Sequence, residues 1–273
     1  MPQHGLGIIA GGGELPRAIA QSVRDAGREV FVLAMHDATG EWVSRFPHEW
    51  LSMGQIGRTL ELLRLHDCSE VVFAGYVSRP NFFKLRYDLK GLSWLLPVLW
   101  AMRKGDNTLL DAMVSLFERE GVRVRGIADV APGLQIPVGT LGKIKPSAEN
   151  ESDIAFAMSA ARKQGVRDVG QAVIAFGGTI VAIEGNEGTD AMLSRLAEHP
   201  AAGSRRGVLA KALKPIQDRK TDLPTIGVTT VTKAAAAGLA GIAVEAHTAL
   251  VLDRAAVIAE ADRLGIFVVG VTP

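Results

Sequence analysis

Two carboxylates four residues apart beside a rigid turn open the chemical reading of this chain. The stretch 211–227, KALKPIQDRKTDLPTIG, sets Lys211 and Lys214, the basic pair Arg219 and Lys220, and the carboxylates Asp218 and Asp222 around two prolines. Pro224 disfavours the α region for Leu223, so Asp222 is expected on an extended or turning segment. Such a pair suits a hard cation: magnesium takes oxygen ligands in octahedral geometry and commonly binds through one or two carboxylates plus substrate phosphates. Neighbouring lysines would offset phosphate charge as compact point charges. A solvated loop with surface ion pairs is the competing reading of the same residues. Upstream, Glu184, Glu187 and Asp190 surround the turn 185–189. That turn follows a hairpin and would be placed by a rigid scaffold. Its plainer reading is a helix start, with the Thr189 hydroxyl as cap and acidic residues in the first turn.

A second candidate lies near the N-terminus, where Gly11, Gly12 and Gly13 separate an apolar run from a helical pattern. The first N–H groups of a helix are unpaired and carry the positive end of its dipole, so a phosphate would sit well there. A dinucleotide fingerprint, which would make the chain an oxidoreductase, wants glycine at the sixth position for close helix–strand packing. This chain has Pro16 there, although Asp37 stands where a ribose hydroxyl could be held. A purely structural tight turn is the third reading. The six histidines show no His-x-x-x-His or His/Cys clustering, which argues against zinc. No Gly-x-Ser-x-Gly elbow occurs, and no thiol-nucleophile motif surrounds Cys68.

Elements that would position these residues follow from periodicity. Strands are expected over 6–10 (LGIIA), 29–35, 70–75 and 122–127, with helices over 55–66 and 106–121 and one after the glycines that places Ala18, Ile19, Ser22 and Val23 on one face and stops at Gly27. Strands alternating with helices of ten or more residues imply a doubly wound, Rossmann-like parallel sheet over 1–132. The stretch 133–147, rich in proline and glycine, is expected as a linker. Beyond it, a mixed α/β domain over 148–273 is expected. Its helices fall at 153–164, from Thr189, at 232–241 and at 254–264. Its strands fall at 171–176, 179–184, 207–214, 242–252 and 266–271. Gly177 and Gly178 alone separate the first two strands, a two-residue hairpin signal.

Composition excludes several classes. Of 273 residues, 48% are hydrophobic and 22% charged, a globular profile. Lys and Arg total 30 against 29 for Asp and Glu, without the basic excess that gives a nucleic-acid binder its affinity. One cysteine excludes an internal disulfide and suits a reducing cytoplasm. No export signal is read at the N-terminus. The most apolar stretch, 91–102, contains Pro97 and is shorter than the roughly 20 residues a membrane span needs.

Five segments carry a resemblance over nearly the whole chain: GIIAGGGELP at the N-terminus, GYVSRPNF at 75–82, GDNTLLDAMVSLFEREGVRVRG at 105–126, DVGQAVIAFGGTIVAIEGNEGTDAML at 168–193, and KPIQDRKTDLPTIG at 214–227. Together they resemble the UDP-2,3-diacylglucosamine pyrophosphatase family of lipid A-producing bacteria that lack the metallophosphatase-type enzyme. The resemblance implies hydrolysis to UMP and 2,3-diacylglucosamine 1-phosphate (lipid X), dependence on magnesium, and closure of two domains over the substrate. It implies Asp222 as the catalytic carboxylate and metal ligand, with Asp218 as second ligand or its partner. Lys211 and Lys214 would steady the pyrophosphate, and Gln171 with Glu187, Gly188, Thr189 and Asp190 would line the same pocket. Gly11, Gly12, Gly13, Glu14 and Leu15, with Gly75 and Arg79, would bind uridine diphosphate or the sugar, and Asn107 and Thr108 are further substrate candidates. One departure is visible: Asn107 stands where a second acidic residue is expected after Asp106.

A diacylated substrate also needs a place for its chains. Phe82, Phe83, Leu85, Leu92, Trp94, Leu95, Leu96, Leu99 and Trp100 are flanked and interrupted by Arg79, Lys84, Arg86, Lys90, Arg103 and Lys104. That pattern fits a segment resting on the cytoplasmic face of an anionic inner membrane, a core helix with solvated ends, or an acyl-chain groove. A homodimer is compatible with the sequence.

Overall fold

The computed structural model describes residues 4–36, 38–76, 85–103, 106–165, 170–185, 187–198, 207–213 and 223–272. The chain divides into two compact units, Met1–Gly133 and Leu134–Pro273.

The first unit runs β1 (Leu6–Ala10), α1 (Leu15–Asp25), β2 (Val30–Met35), β3 (His48–Leu51), α2 (Ile56–Leu65), β4 (Glu70–Ala74), α3 (Leu89–Met102), α4 (Asp106–Arg119), β5 (Arg123–Val124) and α5 (Ile127–Val130). Its strands form one sheet in the order β3-β2-β1-β4-β5, every pairing parallel. All six residues of β2 are buried, as a strand covered on both faces must be. Residues of α2, α3 and α4, among them Leu60, Leu63, Trp94 and Phe117, pack with Leu33 and Val71 on one side. Helix α1 packs on β1, β2 and β4, and α5 joins it on β4. The doubly wound sheet expected from periodicity is therefore present. Helix α1 keeps the expected face in part: Pro16 sits in its first turn, Ile19 and Val23 are buried and Ala18 and Ser22 half-buried, while Ala20, outside that face, is buried as well. The expected strand 122–127 shortens to two residues because α5 starts at Ile127.

At the amino end of β4, Glu70 accepts from Arg28 and Arg125, each at 2.8 Å. Burial alone would raise its carboxyl pKa, but the hydrogen bonds and charges of the two arginines outweigh this and hold it below the ordinary value.

The second unit runs β6 (Gly139–Leu141), α6 (Ala148–Gly165), β7 (Ala172–Phe176), β8 (Thr179–Ile183), α7 (Thr189–Glu198), β9 (Val208–Lys211), β10 (Thr225–Ile226), α8 (Val228–Ala236), β11 (Gly241–Glu245), β12 (Leu250–Val251), α9 (Arg254–Leu264) and β13 (Phe267–Val271). Six strands form a mixed sheet in the order β6-β13-β11-β9-β7-β8. The central β13, β11 and β9 are parallel, and β6, β7 and β8 add antiparallel pairings. Side chains of α7, α8 and α9 cover one face, around Ile174, Leu209, Ile242 and Val244. Helix α6 covers the other, around Val173, Ala210, Ala243 and Phe267.

The hairpin forms as expected. Gly177 and Gly178 both have positive φ, 57° and 71°, which matches the twist of the flanking strands. Asp153 of α6 accepts from both glycine N–H groups, at 3.0 and 2.8 Å, and so fastens the turn to the helix. Several expectations are corrected. The proposed linker 133–147 contains β6, which is built into the sheet beside β13. The single strand expected over 242–252 breaks into β11 and β12 around His247, whose φ is 61°. Helix α8 starts at Val228, ahead of the expected 232.

Candidate active site

In the second unit, the strand directions bring the ends of four elements to one edge of the sheet. Parallel β9 and β11 finish there with Lys211 and Glu245. Antiparallel β7 begins there, after Gln171, and β8 ends there, before Glu184. Lys211, Glu245 and Glu184 are 5%, 7% and 6% exposed, so three ionisable side chains are buried together at the end of otherwise apolar strands.

Each of the three is held by its surroundings. Glu184 accepts from the N–H groups of Gln171 and Ala172 through Oε2, at 2.7 and 3.0 Å. Its Oε1 accepts from the Thr189 hydroxyl at 2.6 Å. Thr189 therefore does not cap α7 with that hydroxyl, as expected from sequence, but donates it to Glu184. Lys211 Nζ donates to the Thr225 carbonyl at 3.1 Å. Glu245 Oε2 accepts from Leu213 N–H at 3.2 Å, and Arg162 lies 3.7 Å from its other oxygen. Leu213 and Leu223, both buried, bound the stretch 214–222, so Glu245 and Lys211 fasten the chain on either side of it.

The expected residues Lys214, Asp218 and Asp222 fall within 214–222, and Arg79 within 77–84; both stretches lie outside the described residues, as does Asp37. Gln171, Thr189 and Lys211 are brought to the same edge. Gln171 Oε1 is buried and has no hydrogen-bond partner among the described residues. Gly188, with φ at 86°, makes the turn into α7. Glu187 is exposed and paired with Arg195. Its own backbone N–H, then Arg195, hold its carboxyl below the usual range. Asp190 pairs with Lys233 at 2.8 Å. These two acids thus answer local bases. Sequence reasoning missed Glu245, although the strand GIAVE carries its signal: one ionisable residue closing an apolar run.

Among the described residues no group of three or more His, Cys, Asp or Glu side chains could hold a metal. Glu184 spends both its oxygens on protein donors, and Glu245 spends one. A magnesium ion at this edge would therefore depend on Asp218 and Asp222, a carboxylate pair whose donor chemistry suits it.

The first unit contributes the glycine loop. Gly11 N–H donates to Ala74 O and Gly12 N–H to Tyr76 O, each at 2.8 Å, and Tyr76 N–H returns a bond to Gly12 O at 3.1 Å. Two of the expected anion donors are therefore occupied by the strand continuing from β4. Pro16 removes a further N–H, and the Glu14 carboxylate pairs with Arg17 at 2.7 Å beside the helix start. That leaves Gly13, Glu14 and Leu15 N–H for a ligand, a weaker cradle than the sequence implied, and the dinucleotide reading weakens with it. Gly75 sits beside the loop with φ at 88°. A Cβ there would stand 2.4 Å from Gly12 O, so only glycine fits this approach. Asn107 and Thr108 lie in the first turn of α4, Thr108 half-buried.

A doubly wound parallel sheet joined in one chain to a mixed sheet with buried ionisable groups at one edge defines a two-domain α/β protein. The family model described as the LpxI N-terminal domain matches residues 5–134, and that of the LpxI C-terminal domain matches residues 137–269. A protein of Caulobacter vibrioides named UDP-2,3-diacylglucosamine pyrophosphatase LpxI is 45% identical over 273 residues, covering 98% of each chain. The chain belongs to the LpxI family. Among solved structures, the biotin carboxylase domain dimer of Hydrogenobacter thermophilus 2-oxoglutarate carboxylase is 14% identical, with a TM-score of 0.26. That match covers 72% of this chain and 40% of the other, and its TM-score carries no argument about fold or function.

Proposed function

We propose that this protein hydrolyses the pyrophosphate linkage of UDP-2,3-diacylglucosamine, releasing UMP and 2,3-diacylglucosamine 1-phosphate, with magnesium as cofactor. The observation that carries the reading is the edge where Lys211, Glu184 and Glu245 lie buried on both sides of the stretch that holds Asp218 and Asp222. Attack on phosphorus is governed by alignment and charge stabilisation, so a positioned carboxylate and nearby lysines make a sufficient toolkit. Asp222 would orient the attacking water and accept its proton. Lys211 would supply positive potential from beneath the edge, with Lys214 adding to it. Asp218 and Asp222 would hold the magnesium, which when bound supplies Lewis-acid stabilisation of phosphate charge.

The lipid side of the substrate is consistent with α3. Leu89, Leu92, Leu96 and Trp100 are 88%, 52%, 77% and 60% exposed and recur at helical spacing. Trp94 instead turns inward against Phe117, with ring centroids 5.4 Å apart. No helix among the described residues is long and apolar enough to cross a membrane. We place the protein in the cytoplasm, with α3 resting on the inner leaflet. A homodimer would suit the groove of about 410 Å³ between α6 and β8, lined by Phe156, Ala160, Ile180 and Ile183.

Incubating the purified chain with UDP-2,3-diacylglucosamine and Mg²⁺ should release UMP, and a chelator should stop it. Intact substrate after incubation with Mg²⁺ would overturn the hydrolytic reading.

A further inference from the structure

We propose that the ring of Tyr76 is a stacking platform for the uracil base of the substrate. This assignment rests on the reading of the substrate as a UDP-sugar.

Three observations converge on Tyr76. The strand order β3-β2-β1-β4-β5 reverses at β1 and β4, and ligands of open parallel sheets bind in the crevice beyond the carboxyl ends of the strands at such a reversal. Tyr76 stands one residue beyond Gly75 at the end of β4, bridged to Gly12 by the paired backbone hydrogen bonds described above. Next, the ring lies along the glycine loop. A Cβ on Gly12 would meet Cζ and Cε2 at 2.7 and 2.9 Å, and one on Gly13 would meet Cε1 and Cδ1 at 3.5 and 3.6 Å. A side chain at Gly12 would displace the ring. The glycine run thus has a cause other than phosphate: it lets an aromatic ring lie against bare backbone. Finally, Tyr76 is 68% exposed, so the loop supports one face of the ring and leaves the other to solvent. Among the described residues no second ring stacks on it.

An aromatic face fixed from behind by backbone and open in front is the geometry that planar bases use, and such stacking needs no free N–H donors. That matches a loop whose first two N–H groups are already engaged. The uracil of a UDP-sugar is the planar group that the proposed substrate brings.

Titration calorimetry of the full chain with UMP, uridine and inorganic pyrophosphate tests this. Tyr76→Phe should keep UMP and uridine affinity within about twofold. Tyr76→Leu should weaken both by roughly 5- to 150-fold, the span of stacking losses on removal of an aromatic. Pyrophosphate affinity should be unchanged, and for hydrolysis KM should rise more than kcat falls. Unaltered UMP affinity in Tyr76→Leu overturns the proposal, as does an equal loss for pyrophosphate, which would mean that the loop had merely been disturbed. Undetectable UMP binding by the unaltered protein overturns it as well. Should the unaltered protein bind uridine through Tyr76 yet leave the UDP-sugar intact, the stacking site stands and the hydrolytic reading alone fails.

Discussion

Replacing Glu184 separates its charge from its hydrogen bonds and gives two distinguishable outcomes. The side chain is 6% exposed and takes three donors: Gln171 N–H, Ala172 N–H and the Thr189 hydroxyl. Alanine removes every acceptor. The hydroxyl can rotate to another partner, but the two backbone N–H groups have fixed directions. Each hydrogen bond to a charged group contributes about 1.5–3 kcal/mol, so Glu184→Ala is expected to cost about 3–5 kcal/mol after some relaxation. That is a large part of the roughly 5–15 kcal/mol that keeps a domain folded. Glutamine can leave its oxygen where Oε2 stands and turn its amide toward Thr189, whose hydroxyl then accepts instead of donating. Only charge assistance is lost, about 1–2 kcal/mol. All four tryptophans (Trp42, Trp50, Trp94 and Trp100) belong to the first unit, so their fluorescence reports that unit. Urea unfolding followed by far-ultraviolet circular dichroism should show the Glu184→Ala loss, with a much smaller one for glutamine. Equal losses in the two variants, or less than about 0.5 kcal/mol in alanine, would refute the claim that this carboxylate organises the edge.

The tryptophans also serve the first unit directly. Gly75→Ala forces a left-handed φ on a residue with a Cβ and a contact with Gly12 O, so it should lower the tryptophan-detected stability by about 1–3 kcal/mol; an unchanged midpoint would show that the loop yields freely. Glu70 has a folded-state pKa below its ordinary value, so its stabilising contribution is present above the unfolded pKa and is lost as pH falls through the folded one. The stability gap between the unaltered protein and Glu70→Gln should therefore be open at neutral pH and close in acid; a gap that persists in acid would mean that packing, not charge, is responsible. Asp222→Ala should lower kcat by about 100-fold or more with little change in unfolding, and turnover at the unaltered rate would remove Asp222 from the chemistry.

Local signals carried most of the fold. Strand β1 and helix α9 fall at the bounds read from periodicity, because an apolar run ended by glycine and a helix between Asp253 and Gly265 are decided by neighbours in sequence. What escaped depended on distant partners. Strand β6 looks like linker because Pro137, Gly139 and Gly142 punctuate it, and only pairing with β13 makes it a strand. Strand β3, HEWL, has no clean alternation and is set by β2 beside it. The expected helix start at 232 came too late because Val228, Thr229, Thr230 and Val231 are β-branched and poor helix formers, yet they begin α8. For the candidate site, Lys211 stood out by type and spacing, while Gln171 and Thr189 were singled out as pocket residues by the family resemblance. Tyr76 was not legible, because it acquires meaning only from what the sheet places beside it, and Glu245 offered only the signal of one ionisable residue closing an apolar run.

Buried charge supplies the remaining argument for where the chemistry lies. Taking an ion out of water costs several kcal/mol even after relaxation, and well-packed apolar residues in its place are often as stable or more so. Strands β9 and β11 are otherwise apolar, and Leu or Met at 211 or 245 would continue the same buried pattern. A fold selected for stability alone would have little reason to end both strands with ionisable groups at one edge. Glu184 sharpens the point, since a third buried ionisable group is satisfied there by three separate donors. The desolvation accepted at this edge is what the proposed chemistry would call for, with Lys211 beside phosphate charge and the carboxylates tolerated there only with a bridging cation.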